Sequence, residues 1–256
     1  DLYKKKIEKG EFYFYKTKSK SLKTCDLLSD IVPKILENYQ WKKSMKWGEF
    51  DLNWGRPLKS ILSVFDKKVI NFQFHHILSS NFTYIDKDFE EKKKNFADFK
   101  SYEKYFKKKG TLINQDKRRE LINKKFLMIL NKKKSSIKDN PKLLDEVVNL
   151  VDSPNVLLCG FDKKYLGIPK EILTLTMETH QKYFPIFDNK GEITNEFLIV
   201  INKKDQKGLI KIGNERVVEA RLSDAEFFWN KDKTKNLVKK VSELKSISFF
   251  KGLGTY

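Results

Sequence analysis

The residues that most often carry chemistry are scarce in this chain of 256 amino acids: two cysteines, three histidines and five arginines. Cys25 and Cys159 stand far apart with no ligand-rich neighbours, which argues against a disulfide framework and for a reducing, cytoplasmic setting. Three scattered histidines offer no zinc site, and His75-His76, read as neighbours on a strand, would point to opposite faces. No apolar run reaches the roughly 18 residues that a membrane helix needs, and no signal peptide is visible. A Walker loop, a dinucleotide-binding glycine motif and a nucleophile elbow are all missing. No catalytic or metal-ligating residue is therefore assigned; paired carboxylates need a structure to be judged.

What is abundant is lysine. Lys and Arg number 53 against 34 Asp and Glu, a net charge of +19, while 39% hydrophobic and 13% aromatic content mark a globular chain with a real core. Such a charge suits a polyanion. A lysine excess mixed with Ile, Asn and Phe is also what an AT-rich genome writes on any solvent face, and RNA surfaces favour the planar fork of arginine. Charge alone leaves both readings open. The chain opens at Asp1 without Met and stops just after Leu253-Gly254-Thr255, as a piece of a longer protein would.

The local patterns indicate an α+β fold of mixed strand and helix lobes with a β-hairpin and a charged helical insert. Residues 1–85 form a mixed lobe, 86–137 the insert and 138–256 a second α+β lobe. Gly10 to Thr17 reads as a strand. Thr24 is placed to cap a helix with Leu27, Leu28, Ile31, Ile35 and Leu36 inward, kinked or split at Pro33. Ser60 to Phe65 and Val69 to Phe74 flank Asp66-Lys67-Lys68 as a hairpin with a three-residue loop. Phe96, Phe99, Tyr102 and Phe106 make one helical stripe ended by Gly110. Asp116 is the expected cap of the next helix, with Leu121, Ile122, Phe126, Ile129 and Leu130 inward. Asn140-Pro141 opens another, and Asn155 to Cys159 follows as an apolar strand. A helix from Pro169 runs through Met177 to His180. Lys182 to Asp188 and Phe197 to Ile201 should pair antiparallel around Asn189-Lys190-Gly191. Asn214 should cap a helix whose stripe is Val218, Leu222, Ala225 and Trp229, and Asp232-Lys233 should begin the last one.

Polarity becomes mixed only between Met177 and Phe228. That stretch holds His180-Gln181-Lys182-Tyr183-Phe184, Gly213-Asn214-Glu215-Arg216-Val217 and Arg221-Leu222-Ser223-Asp224-Ala225-Glu226-Phe227-Phe228. His180 sits where a helix ends, which favours its protonated form; it serves either as a structural cap or as an RNA or partner contact. Arg216 falls in the expected first turn, where the dipole disfavours a cation, and so calls for an anionic partner. Arg221 can pair with Asp224. Arg56, between Gly55 and Pro57, reads either as half of a buried ion pair or as a phosphate contact. Arg56, His180, Gln181, Lys182, Arg216 and Arg221 are the candidate RNA-binding residues.

These strings, with Lys43 to Gly48, Arg56-Pro57-Leu58, Leu143 to Val147, Ser153-Pro154, Ile168 to Glu171 and Leu253-Gly254-Thr255, resemble the beta chain of the bacterial two-chain glycyl-tRNA synthetases over roughly residues 10 to 255. Their order and number carry the likeness; no single string is a catalytic signature. The resemblance implies the N-terminal half of such a beta chain, before its HD-like and anticodon-binding domains. It implies partnership with the alpha chain in an alpha2beta2 tetramer, with tRNA(Gly) as substrate, in the cytoplasm. In that family the alpha chain uses ATP with Mg to activate glycine, so this piece would bind neither and would contribute tRNA binding and assembly. A pure assembly module without RNA contact is the rival reading, and an unrelated lysine-rich enzyme a third. One segment departs from the family: Ser79 to Asp86 lacks the basic residues and the His expected after the hairpin.

Overall fold

A computed structural model of the chain describes residues 2–17, 21–85, 92–250 and 254–255. The fold is α+β, in two compact units, Asp1–Tyr105 and Phe106–Tyr256. The division falls inside the stretch 86–137 that the sequence suggests as one insert. No helix among the described residues is long and apolar enough to cross a membrane.

The first unit opens with an antiparallel pair, β1 (Leu2–Ile7) and β2 (Gly10–Tyr15). Helix α1 (Thr24–Glu37) follows. Its extended N-cap residue is Lys23, one place before the expected Thr24, and it makes no side-chain cap bond. The helix continues through Pro33 as one element of 14 residues. Leu28, Val32 and Leu36 pack on the core on both sides of the proline, which favours an unbroken helix. Leu27, Ile31 and Ile35, expected inward, are exposed.

Short strands come next: β3 (Ile61–Leu62), β4 (Val64–Phe65), β5 (Lys68–Val69), β6 (Gln73–Phe74), β7 (Ile77–Ser80), β8 (Phe82–Tyr84) and β9 (Lys93–Asn95). β4 and β5 form the expected hairpin, but its loop has two residues. Asp66 and Lys67 both take positive φ, 47° and 61°, as a tight twisted hairpin turn requires. Away from the turn the runs separate: β3 pairs parallel with β7, and β6 antiparallel with β7. His75-His76 lies in the turn between β6 and β7 rather than on a strand, with His76 stacked on Phe50 at 3.6 Å. The departing segment runs from the end of β7 at Ser80 through a bend at Asn81 into β8, while Asp86 lies outside the described residues. Ser79 is buried, and its hydroxyl donates to the Ile70 carbonyl at 2.7 Å and accepts from the Phe72 amide at 2.8 Å.

Helix α2 (Phe99–Lys108) spans the division. The expected four-aromatic stripe is broken. Phe96 precedes the helix and is buried, and Phe99 points to solvent, because Asp98 starts the helix by accepting the Ser101 amide at 2.7 Å.

The second unit is built on a three-stranded antiparallel sheet, β10 (Asn155–Gly160), β12 (Ile193–Ile201) and β11 (Phe184–Phe187), in that spatial order. β11 pairs with β12 as expected, Phe184 opposite Leu198, around the Asn189 to Gly191 turn. Helices α3 (Gln115–Lys133) and α4 (Pro141–Leu150) cover one face through Ile122, Phe126, Leu143, Val147 and Val148. The other face is covered by α5 (Lys170–Leu175), the π-turn Thr176–Gln181 that prolongs it, and α6 (Leu209–Lys233). α7 (Leu237–Lys240), β13 (Ser248–Phe250) and β14 (Gly254–Thr255) follow.

Asn140 caps α4 as its sequence indicates, accepting from the Leu143 amide at 3.1 Å. Three other expected starts move. Asn114, not Asp116, caps α3, accepting from the Lys117 amide at 3.0 Å. α6 begins at Leu209 instead of Asn214, because the Asp205 carboxylate takes the Ile210 and Lys211 amides at 3.2 and 2.9 Å. Asp232-Lys233 therefore ends α6, and Asn236 caps α7 through the Val238 amide.

Leu198 and Ile199 are both fully buried, on opposite faces of β12. Leu198→Ala and Ile199→Ala should each cost about 2–5 kcal/mol in urea unfolding, since each leaves a cavity under a different helix layer. A loss below about 1 kcal/mol in either would contradict a sheet packed on both faces.

Candidate nucleic-acid interface

Two of the three mixed-polarity strings, those holding Tyr183 and Asn214-Glu215, meet over one face of this sheet. The π-turn carries the chain out of α5 and ends at Lys182, in the left-handed region at φ 62°. That reversal swings Tyr183 against the sheet. Its ring lies nearly parallel to Phe197, 5.3 Å between centroids and 17° between planes. Its hydroxyl donates to Asn214 Oδ1, and the Asn214 amide donates back to the Ile210 carbonyl at 2.6 Å. Asn214 is thus an internal clamp between the π-turn and α6, not a cap. Burial, with Cys159 close by, pushes the Tyr183 hydroxyl above its ordinary range and keeps it protonated as a donor.

One turn along, Glu215 Oε1 accepts the Gly160 amide at 2.8 Å. β10 is an edge strand, so the carboxylate satisfies a backbone donor that no neighbouring strand takes. Beside it opens a cleft of about 440 Å³, walled by Cys159, Gly160, Asn195, Lys211, Glu215 and Arg216. Lys211 lies 3.7 Å from Glu215, and Glu196 at the rim is held by Lys133 at 2.6 Å. Arg216 makes no ion pair among the described residues and is exposed.

The structure brings only some of the expected residues together. His180, Gln181 and Lys182 occupy the π-turn and its end; His180 is exposed, and Lys182 pairs with Glu146 at 2.9 Å. Arg216 lies in the second turn of α6, not the first, so the dipole argument for an anionic partner lapses. Arg221 is exposed, and no ion pair with Asp224 forms among the described residues. Five residues apart, Arg216 and Arg221 point about 140° from each other around the helix. Arg56 belongs to the first unit, is exposed and has no carboxylate partner among the described residues, which removes the buried-pair reading. Sequence reading missed the roles of Tyr183, Asn214 and Glu215, whose partners lie 31 and 55 positions away. Another unforeseen arginine, Arg118, is structural: it donates to the carbonyls of Leu112, Ile113 and Val148 at 2.7–2.9 Å.

Among the described residues no three His, Cys, Asp or Glu side chains gather to hold a metal. Nor does the cleft offer a nucleophile. Cys159 is 1% exposed, and its thiol is pushed up to about 12 by burial and by the Glu215 carboxylate. The arrangement is suited to binding. At pH 8 a disulfide reagent should therefore label half-buried Cys25 only, and both thiols after denaturation. The unfolded thiol ionises near its ordinary 9.0 while the folded one stays protonated, so this contribution to stability is complete below about pH 9 and lost as pH rises toward about 12. Rapid native labelling of a Cys25→Ser variant would refute this placement.

A family model described as glycyl-tRNA synthetase beta subunit matches residues 1–256. Relatives named glycine–tRNA ligase beta subunit come from Rickettsia akari (strain Hartford), 36% identical over 255 residues, and Rickettsia felis (strain ATCC VR-1525 / URRWXCal2), 35% identical over 257, each covering 99% of this chain. A third, from Rickettsia typhi (strain ATCC VR-144 / Wilmington), is 36% identical over 256 residues, the whole of it. The chain spans 38–39% of the length of these relatives. With the family model matched from end to end and three relatives at 35–36% identity covering 99–100% of its length, the chain belongs to the glycyl-tRNA synthetase beta subunit family.

Proposed function

We propose that this chain serves glycine–tRNA ligase, contributing tRNA(Gly) binding and subunit assembly to an ATP-dependent aminoacylation whose catalytic site lies on the alpha chain, in the cytoplasm. The observation that carries the reading is the family match over all 256 residues. Physical features support it. The charge of +19 favours a polyanion, and Arg216 and Arg221 are exposed with no carboxylate partner among the described residues. A guanidinium left open in this way is free to clasp phosphate with two parallel hydrogen bonds. His180 is exposed on the π-turn and offers an imidazole N–H donor.

A second reading, assembly without RNA contact, has its own support. The outer side of α6 exposes Leu209, Val217, Phe227 and Phe228, and the helix carries five basic and five acidic residues, no net charge in a strongly basic chain. Such a surface suits protein more than RNA.

Arg216→Lys and Arg221→Lys keep the charge and remove the fork. Each should weaken tRNA binding at fixed salt by about 1–2 kcal/mol, the scale of a charged hydrogen bond, with an unchanged melting temperature because both side chains are exposed. Unchanged affinity in both variants would favour the assembly reading. The chain alone should also show no glycine-dependent ATP–pyrophosphate exchange, because its sequence has no nucleotide-binding loop; exchange by the purified chain would refute the assignment of catalysis to the alpha chain.

A further inference from the structure

The first unit carries a column of aromatic rings running from its core to its surface. Phe74, 1% exposed, meets Trp54 at 5.4 Å; Trp54 meets Trp41 at 5.0 Å; Trp41 meets Tyr39 at 4.7 Å. The inner pair belongs to the core cluster, with Trp54 tied to Met45 by two backbone hydrogen bonds. The outer pair does not: Trp41 is 39% and Tyr39 56% exposed. The outer rings are therefore open yet mounted on a fixed base, so stacking something on them costs little side-chain entropy.

Gly55 fits this arrangement. A Cβ built there would lie 2.8 Å from the Trp41 ring, and the ring atoms it meets are rigid. Only glycine lets the indole lie on the backbone at the point where Arg56 follows. Arg56, Lys42 and Lys43 are exposed and make no ion pair among the described residues. Next to Tyr39 runs an open, mainly apolar groove of about 550 Å³, lined by Ile31, Lys34, Ile35, Asn38, Tyr39 and Gln40. Its acid, Asp30, is already held by Lys34 at 2.7 Å, so no unpaired carboxylate repels an anion there.

We propose that Tyr39 and Trp41, with Arg56, form a stacking site for an unpaired nucleotide of a bound RNA, its base on the aromatic rings and its phosphate on the guanidinium. The inference rests on the tRNA-binding reading above and names a place for it. Base stacking on aromatic faces needs no sequence code, and unstacked nucleotides in loops and ends are the ones proteins reach. Charge decides the class of occupant: an apolar protein segment would cover the rings and groove but leave Arg56, Lys42 and Lys43 unmatched, whereas a nucleotide matches the rings with its base and the cations with its phosphate.

The test is titration of the 256-residue chain with a tRNA(Gly) transcript, followed by melting of each variant. Trp41→Ala and Tyr39→Ala should each weaken binding about tenfold, the scale of one lost base stack, and Trp41→Phe should keep most of the affinity. Trp41→Phe should also abolish an RNA-dependent quenching of tryptophan emission, which a merely structural ring would not produce. Gly55→Ala should weaken binding by displacing the indole without removing a ring or a charge. Arg56→Gln should reduce the slope of log affinity against log salt by about 0.7–0.9, one phosphate contact. A wild-type chain that binds no tRNA would overturn both this inference and the RNA part of the proposed function. Wild-type binding that survives Trp41→Ala and Tyr39→Ala unchanged would overturn this inference alone. Loss of alpha-chain association in these variants with tRNA affinity intact would overturn it in favour of a protein-docking surface.

Discussion

The second unit depends on one constraint: a three-stranded antiparallel sheet that must be covered on both faces. Phe197 to Ile201 is apolar at five consecutive positions, so neither side of β12 tolerates water. Antiparallel sheets often leave one face wet; here α3 and α4 close one side, and α5, the π-turn and α6 the other. The rest follows from that demand. Leu198 and Val200 sit with the first helix pair, Phe197 and Ile199 with the second layer, and each helix is held by the stripe it offers to the strand.

The covering layer also explains where two of the mixed-polarity strings meet. α6 buries Val218 and Leu222 against the sheet. That fixes its rotation, which aims Asn214 at Tyr183 and Glu215 at the free amide of Gly160. The same rotation leaves Arg216 and Arg221 outside, in different directions. The π-turn and the helix are thus clamped together through Tyr183 and Asn214, with Arg216 and Arg221 on the helix's exposed side. The buried thiol of Cys159 beside Glu215 is part of the packing and cannot act as a nucleophile at ordinary pH.

The first unit follows a different logic. Its core is small, built on Leu52, Ile70, Phe72 and Phe74, and its strands are mostly two to four residues long. Aromatic packing supplements that modest core and extends beyond it, through Trp54 to Trp41 and Tyr39. A column that starts in the core and ends in solvent stabilises at one end and presents at the other. The lysine excess, by contrast, is scattered along the chain, and its exposed charges are screened by salt.

The sequence by itself determined the α+β class, the β11–β12 hairpin, the Asn140-Pro141 start of α4 and the Ile122, Phe126, Leu130 stripe of α3, because each is written in neighbouring residues. Turn residues, caps and periodicity act over one to eight positions, where chain connectivity brings the partners together. It misplaced helix starts at Asp116 and Asn214, because several polar residues near each start were able to cap and only the packed structure selects one, and it named Thr24 as a cap where the N-cap of α1 is Lys23, one residue earlier, with no side-chain cap at all. It also placed Arg216 in a first turn that does not exist, since Asp205, nine residues before Asn214, captures the helix amides first. The tertiary structure alone decided that Arg56 is exposed, with no carboxylate partner among the described residues, and that Tyr183 meets Asn214, Glu215 meets Gly160 and Trp41 lies on Gly55. Those contacts join segments 14 to 55 residues apart, and their geometry is set by how apolar faces pack, which no local pattern records.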